Sequence, residues 1–519
     1  MKKKNINQLK TGVLLSYMTM GLNMLIQLIY TPIMIRFLGQ SEYGLYTLVG
    51  SFISYLSLFS LGFTGAYLRF YSRFKIENNV WEIYKLNGLF LLMFLLMSVT
   101  SIVTGMILSF FPREILGSNL TRLELEKAQL LMRILVINIA LTFPSSLFEA
   151  IVSACEQFLF QRLINMLAVV FNPLICLPLL FFGKGSVAVV TVTTLITVAK
   201  LLINIFYVIE KLETRFFISK INWKLLNEIA GFSFFIFLNM IIDQVNWSVD
   251  KFILGRVSGT GSVAIYGVGA QINSLYTAFS TAISSVYSPR VNRIAVIEKK
   301  EAGRRFTELF IRVGKLQYLV LGLIVTGFMF FGEFFITAIY LTQEYYEAYY
   351  VALLLIFPAT IPLIQNLGIE IQRSVNKHKF RSLVYFVMAI ANIGISIPLA
   401  KLYGPVGCAI GTAITLLTAN GIIMNIYYQK RLDINVMEFW KNIFSESKGL
   451  VLPVLLGIWM VLKKPYNSLT EYFICIVIYI IVYSISMWFV GMNEQDKILI
   501  LENRIVKSIK RNNKEDEKI

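Results

Sequence analysis

The chain is poor in the residues that carry most reactive chemistry. Of 519 residues only one is histidine, His378, which removes histidine-based catalysis and histidine-rich metal sites. Four cysteines, Cys155, Cys176, Cys408 and Cys475, are scattered without a CxxC pair, so no disulfide framework or zinc ribbon follows. Charge is scarce too: Asp, Glu, Lys and Arg make up 15% of the chain, with 30 acidic residues against 48 basic ones. "FFGKGS" holds Gly-Lys without the GxxxxGK[ST] spacing of a phosphate-binding loop, and no cofactor motif replaces it. Paired acids suited to glycoside chemistry are missing from the loops, and those loops are too short for a catalytic domain. An enzyme is therefore not expected.

What the sequence has instead is apolar surface. It is 56% hydrophobic and 14% aromatic, and its mean hydropathy of +0.67 leaves too little polar surface to face water. Apolar runs long enough to cross a hydrocarbon core of about 30 Å recur along the whole chain. They predict an all-α polytopic membrane protein of about fourteen spans, from 13–35 through 229–255 to a short penultimate span at 449–463 and a last one at 470–491. The basic start "MKKKNINQLKTG" lacks a small-residue cleavage site ahead and reads as the flank of a retained first span. An even count puts both termini on one side. Segments on that side carry 36 of the 48 Lys and Arg residues and those on the other side nine, so the termini are expected in the cytoplasm. Topology, rather than nucleic-acid binding, explains the net charge of +18. "EYYEAYY" (Glu344–Tyr350) falls on the outer side as an interfacial aromatic belt, with a sugar platform as the other reading.

The chain also repeats itself. "LNMLIQLIYTPIMIRFLG" (Leu22–Gly39) and "LNMIIDQVNWSVDKFILG" (Leu238–Gly255) agree at six of eighteen positions, 216 residues apart. Tyr46 and Tyr266, Tyr67 and Tyr287, Arg73 and Arg293, and Phe160 and Phe380 are 220 apart, which implies a loop four residues longer after Gly255. "FFGKGSVAV" echoes "LYGPVGCAI" at 221 to 222. Six spans is an even number, so the copies enter the membrane with one orientation, as lobes related by a pseudo-two-fold along its normal. The expected division is an N-terminal lobe (1–210), a cytoplasmic linker (211–228), a C-terminal lobe (229–431), and two extra spans with a basic tail (432–519).

The copies differ in charge. Asn239, Asp243, Asn246 and Asp250 are spaced four, three and four, which makes one stripe along span seven; Asn23, Gln27 and Tyr30 make a milder stripe on span one. A charge at mid-bilayer costs about 2.5–3.5 kcal/mol, so Asp243, and Lys200 on a stripe with Thr193, Thr197 and Asn204, are expected to face a bundle interior or wet cavity. They are either functional groups or a structural pair. Arg36, Arg133, Lys251 and Arg256 sit towards outer span ends, where long side chains snorkel. Glu149, with Ser145 and Ser153 on its face, either binds a cation or caps a polar contact.

Residues Tyr30–Phe74, the "FILG" and "YGVGAQI" segments within Phe252–Ile272, and "LYGPVGCAIGTAI" (Leu402–Ile414) resemble the polysaccharide-biosynthesis (Wzx-type) flippases of the MOP superfamily over roughly the first 430 residues. The resemblance implies two six-helix bundles around a central cavity that opens alternately to either side of the bacterial cytoplasmic membrane. It also implies a cargo, an oligosaccharide repeat unit on undecaprenyl diphosphate. Under that reading Arg36, Lys200 and Lys251 are candidates for the anionic head, with Asn23, Gln27, Asn239 and Asn246 lining the polar interior; Asp243, Asp250 and Glu149 are candidates for coupling to H+ or Na+. No metal or cofactor is implied. Fourteen spans are also similar to the lipid II flippases of the superfamily, although Arg36 is the only arginine near span one. A multidrug cation antiporter would instead need a carboxylate-dominated cavity, and a membrane glycan polymerase would need longer loops.

Overall fold

The computed structural model describes residues 8–494 and 497, apart from 118, 219–222, 298–300, 378 and 464–467. Everything regular among them is helical, and eleven stretches are long and apolar enough to cross a membrane; the chain is a multi-pass, all-α membrane protein. Hydrocarbon offers the backbone no partner, so each crossing must satisfy its own peptide groups, which only a helix does within a single segment. His378 lies outside the described residues.

In chain order the first helices are α1 (Gln8–Ile53), α2 (Phe63–Ile76), α3 (Val80–Ser109), α4 (Pro112–Leu116), α5 (Arg122–Ala154), α6 (Phe158–Phe181) and α7 (Gly185–Phe206). There follow α8 (Trp223–Val257), α9 (Gly259–Ser285), α10 (Ser288–Ile297), α11 (Ala302–Phe334), α12 (Tyr346–Ile364) and α13 (Leu367–Ser374). The last are α14 (Lys379–Leu416), α15 (Met424–Arg431), α16 (Val436–Ser447), α17 (Val451–Lys463) and α18 (Leu469–Ser486).

Two of the eleven stretches, of 59 and 53 residues, each hold two crossings. At Gly39 (φ 75°, ψ 168°) and Gly404 (φ 55°, ψ −132°) the backbone takes conformations open essentially to glycine, and the helix doubles back. In α14 the proof is local. Gly407 lies against the backbone of Leu399, and Gly411 against Ser396, fifteen residues away. For α1 it comes from α9: Gly267 packs beside Tyr43 and Thr47, while Gln271, one turn on, donates to Thr31. A straight helix would separate Thr31 from Thr47 by about 24 Å. Among the described residues that makes thirteen apolar crossings, and α9, less apolar than these, packs along α1 in the place of the one remaining span of the fourteen expected. The penultimate one is not short, because α16 leads into α17 through a 3-10 turn and the stretch Val436–Lys463 runs to 28 residues.

The sequence repeat is written into backbone geometry. Positive φ recurs at Gly39 and Gly259, Glu156 and Asn376, and Glu213 and Asp433, each pair 220 apart, and at Gly183 and Gly404. Phe160 stacks on Tyr207 with centroids 3.6 Å apart, and Phe380 on Tyr427 at 4.5 Å. One expectation needs correction. The four additional residues after Gly255 do not lengthen a loop: α8 runs through Gly255 to Val257, and the chain turns at Gly259. Four residues are about one helical turn.

Contacts cluster into two units. The first comprises residues up to Gln271 with Ser382–Thr415; the second comprises Ile272–Arg381 with everything from Leu416. The first unit has a core around Tyr67, Phe90, Phe94, Phe143 and Ile151 on α2, α3 and α5. In the second, α11 is central: Tyr472 donates to the carbonyl of Phe331 (2.8 Å) and Tyr483 to that of Leu319 (2.8 Å), which fastens α18 along it. Lys315 and Glu446 make a buried ion pair at 3.2 Å between α11 and α16. In the aromatic run, Tyr345 is buried, Tyr349 donates to the carbonyl of Met329 (2.6 Å), and Tyr350 is exposed.

Replacing Gly407 by alanine puts a methyl group into the Leu399 backbone, and overpacking of that kind costs about 1–3 kcal/mol. Gly394, on the same helix, has nothing within 4 Å of an added Cβ. Thermal melting of detergent-purified protein should show a lower Tm for Gly407→Ala and none of that loss for Gly394→Ala.

Candidate functional site

Among the described residues of the first unit Asp250 is the most deeply buried carboxylate, 2% exposed near the end of α8. A bare carboxylate there would be ruinous, and donors from two other helices meet it. Its Oδ2 accepts from the Tyr266 hydroxyl on α9 (2.6 Å) and from Thr412 Oγ1 on α14 (2.7 Å). Its Oδ1 accepts from Asn392 Nδ2 at 3.4 Å, on the other arm of α14. Ser396 donates to Asn392 Oδ1 at 2.9 Å and fixes that amide. The doubling-back at Gly404 is what brings Asn392 and Thr412 to one carboxylate. Lys251, the next residue, is half-buried and interacts with Asp250 electrostatically. The hydrogen-bond partners of Asp250 among the described residues are all neutral.

The carboxylate and two hydroxyls are hard oxygen groups around one formal charge, beside a carboxamide that turns its nitrogen to Asp250 and its oxygen to Ser396. Such a set suits a proton or a small hard cation rather than a soft metal. Among the described residues no group of three or more His, Cys, Asp or Glu is placed to hold a metal.

The first copy has the same scaffold without the charge. Asn172 donates to Thr193 (3.1 Å) and takes a weak contact from Cys176 four residues on (3.7 Å), as Asn392 faces Thr412 and Ser396. Tyr46 stands where Tyr266 does, and the residue that meets Cys176 and Tyr46 there is Tyr30, 220 before Asp250; Met34, the match at an offset of 216, is buried one turn further along α1.

The other predicted residues are distributed. Lys200 pairs with Glu149 at 2.8 Å, each 24% exposed, and Ser145 also reaches that carboxylate at 3.3 Å. The rest of the α7 stripe faces its own bundle, with Thr197 bonded to Asn138 on α5 (2.9 Å) and Thr193 to Asn172 on α6. Asn204 is buried. Asn246 and Asn23 are half-buried, Gln27 and Arg36 exposed; Gln27 offers its carbonyl to Gln271 at 3.4 Å. The side chains of Asn239 and Asp243 lie outside the described residues, although their backbone continues α8. Arg256 donates to the carbonyl of Glu114, and Arg133 lies over the Phe110 ring at 5.2 Å.

Sequence reasoning missed Tyr266, Asn392, Ser396 and Thr412. A signal existed: Asn392 and Ser396, like Cys408 and Thr412, are polar pairs at i, i+4 inside apolar runs, each on a single helical face.

Comparison with known proteins follows the same lines. The family described as polysaccharide biosynthesis protein matches residues 9–295. A Shigella flexneri protein, named as a candidate O-antigen transporter, is 22% identical over 393 residues, 74% of this chain and 88% of its own length. The solved structure of the lipid II flippase MurJ in an inward closed conformation is similar at a TM-score of 0.71 and 16% identity, covering 92% of this chain and 97% of that one. An inward-facing multidrug resistance MATE transporter of the MOP superfamily is similar at 0.56 and 15% identity, covering 82% and 98%. At such identities the structural likeness is one of fold.

The Lys200–Glu149 pair can be tested as a couple. Lys200→Met strands the carboxylate and should cost about 1–2 kcal/mol, less than a fully buried pair because both groups keep some solvent. Adding Glu149→Gln should recover most of that loss, read as Tm in a double-mutant cycle.

Proposed function

The chain belongs to the polysaccharide biosynthesis protein family, and from that premise we propose that it is a secondary flippase for a lipid-linked oligosaccharide repeat unit. The cargo is an oligosaccharide on undecaprenyl diphosphate, carried from the cytoplasmic to the outer leaflet of the bacterial cytoplasmic membrane. Both termini are cytoplasmic under the positive-inside rule. The sugar and diphosphate pass through a polar interior between the lobes 1–210 and 229–431, while the lipid tail stays in the bilayer. No bond is made or broken. Similarity to a protein named as an O-antigen transporter supports the cargo class.

The observation that carries the mechanism is Asp250, a carboxylate buried among neutral donors. Protonation or a bound Na+ cancels its charge, and the two states differ in what α8, α9 and α14 must supply. That difference couples ion entry to movement of those helices, since a ligand shifts an equilibrium only through differential affinity for its states. Asp243, two stripe positions earlier on α8, is the second carboxylate we assign to this role. Arg36 and Lys251 are the cations proposed to meet the diphosphate, joined by Lys200 when a phosphate competes with Glu149 for it. A second reading has one observation behind it: the likeness to the lipid II flippase covers 92% of the chain, against 82% for the MATE transporter.

In a strain deleted for this gene, Asp250→Asn should fold and insert yet lower surface polysaccharide to about a tenth or less, the scale of an essential intramembrane charge. Normal export by both Asp250→Asn and Lys200→Ala would sink the assignment. For the purified protein, Tm should rise in NaCl relative to choline chloride if the ion is Na+, and Thr412→Val should abolish the rise. A rise with lipid II and none with an undecaprenyl-diphosphate oligosaccharide would favour the second reading.

A further inference from the structure

At the end of the first unit opposite the N-terminus, three chain segments from the first copy close over two helices of the second. The Glu124 carboxylate is their junction. Its Oε2 is occupied by its own helix, taking the backbone N–H (2.8 Å) and hydroxyl (2.9 Å) of Thr121 in a capping box at the start of α5. Its Oε1 is left for others, and it accepts from Ser41 after the Gly39 turn (2.6 Å) and from Thr260 at the start of α9 (2.8 Å). Ser41 and Thr260 are themselves 3.3 Å apart. Beside them Asn119 donates to the carbonyls of Arg256 (3.0 Å) and Val257 (3.1 Å), and Arg256 donates to that of Glu114. Gly44 and Gly117 allow backbone approach here, to Thr260 and Arg256. Glu42 adds a tie within the first copy, bonded to Lys127 (2.6 Å) and to the N–H of Ser186.

The other end of the same helix seam is held differently. Arg73 reaches Glu228 at 3.3 Å with both side chains about half exposed, and Arg69 lies 4.6 Å from the Phe232 ring. A single exposed pair of that kind is weak, whereas the outer end gathers several hydrogen bonds, two of them on one charged oxygen, beside close backbone contacts at Gly44 and Gly117, although Ser41 and Asn119 are themselves exposed.

From this asymmetry we infer that Glu124 is the latch of the outer gate: its Oε1, shared by Ser41 and Thr260, holds the outer end shut at rest and must release Thr260 before cargo leaves outward. The inference rests on the proposed alternating-access reading and adds which end is locked and by which residue. Cargo therefore loads from the cytoplasmic end into a protein whose default is closed to the outside. The capping bonds on Oε2 stay with α5 throughout, so release leaves the helix start intact.

The test is disulfide trapping in a background lacking the four native cysteines. Thr47→Cys with Gly267→Cys, which meet across the same α1–α9 seam without touching Glu124, should cross-link readily in membranes without any substrate, and Glu124→Gln should slow that cross-linking by about five- to tenfold, the factor for turning a charge-assisted hydrogen bond into a neutral one. In cells the cross-linked pair should stop polysaccharide export, and reduction should restore it. If Glu124→Gln fails to fold, Asn119→Ala with the same cysteine pair should slow trapping by a smaller factor. Equal trapping rates in all three proteins overturn the latch, as does undiminished export by the cross-linked protein. Substrate-free trapping that behaves as expected in a protein exporting no polysaccharide would leave the latch standing and overturn the cargo assignment instead.

Discussion

Polar groups deep in this bundle answer to one constraint: hydrocarbon supplies no water to an unpaired charge. Two solutions are visible. Lys200 meets Glu149, a full counter-ion on the neighbouring helix. Among the described residues Asp250 takes its hydrogen bonds from neutral donors. The first neutralises itself and can rest indefinitely. The second is compensated in part, and its remaining charge is an invitation to a cation. That difference, more than depth in the membrane, is what singles out Asp250 for the proposed coupling.

Much of the architecture was legible beforehand because hydropathy is a local property, and the crossings follow from it one at a time. The duplication was legible as well, since a constant offset survives even when single matches mean little. What could not be read was which polar residues meet. Asp250 was on the sequence stripe, but Tyr266, Asn392 and Thr412 come from other helices, and two of them share a helix that reverses at Gly404. Pairing across helices depends on rotation about each axis, which composition leaves free. Lys200 illustrates the same gap: its depth suggested a substrate or Asp243, and the geometry supplies Glu149.

Duplication also explains how a charge came to be affordable. The first copy holds the amide, the threonine and the tyrosine of the second without the carboxylate, with the Tyr30 phenol in the slot of Asp250 and Cys176 where Ser396 stands. A ready-made polar cradle lowers the penalty of introducing an acid, because the donors need not evolve together with it. The carboxylate is then confined to one copy of this cradle, while the other keeps a neutral version of the same packing.

The additional turn at the end of α8 bears on what insertions such a membrane helix tolerates. Four residues advance a helix by about 400°, some 40° beyond a full revolution, and by about 6 Å along its axis. Measured from the Gly259 turn, Asp250 is therefore lowered by one turn relative to Met34 at Gly39, yet it still looks towards its own bundle. Two residues would have swung it by about 200° into the lipid. Angular phase, more than length, is what a charged span cannot give up, and it makes this insertion a change of depth at nearly constant bearing.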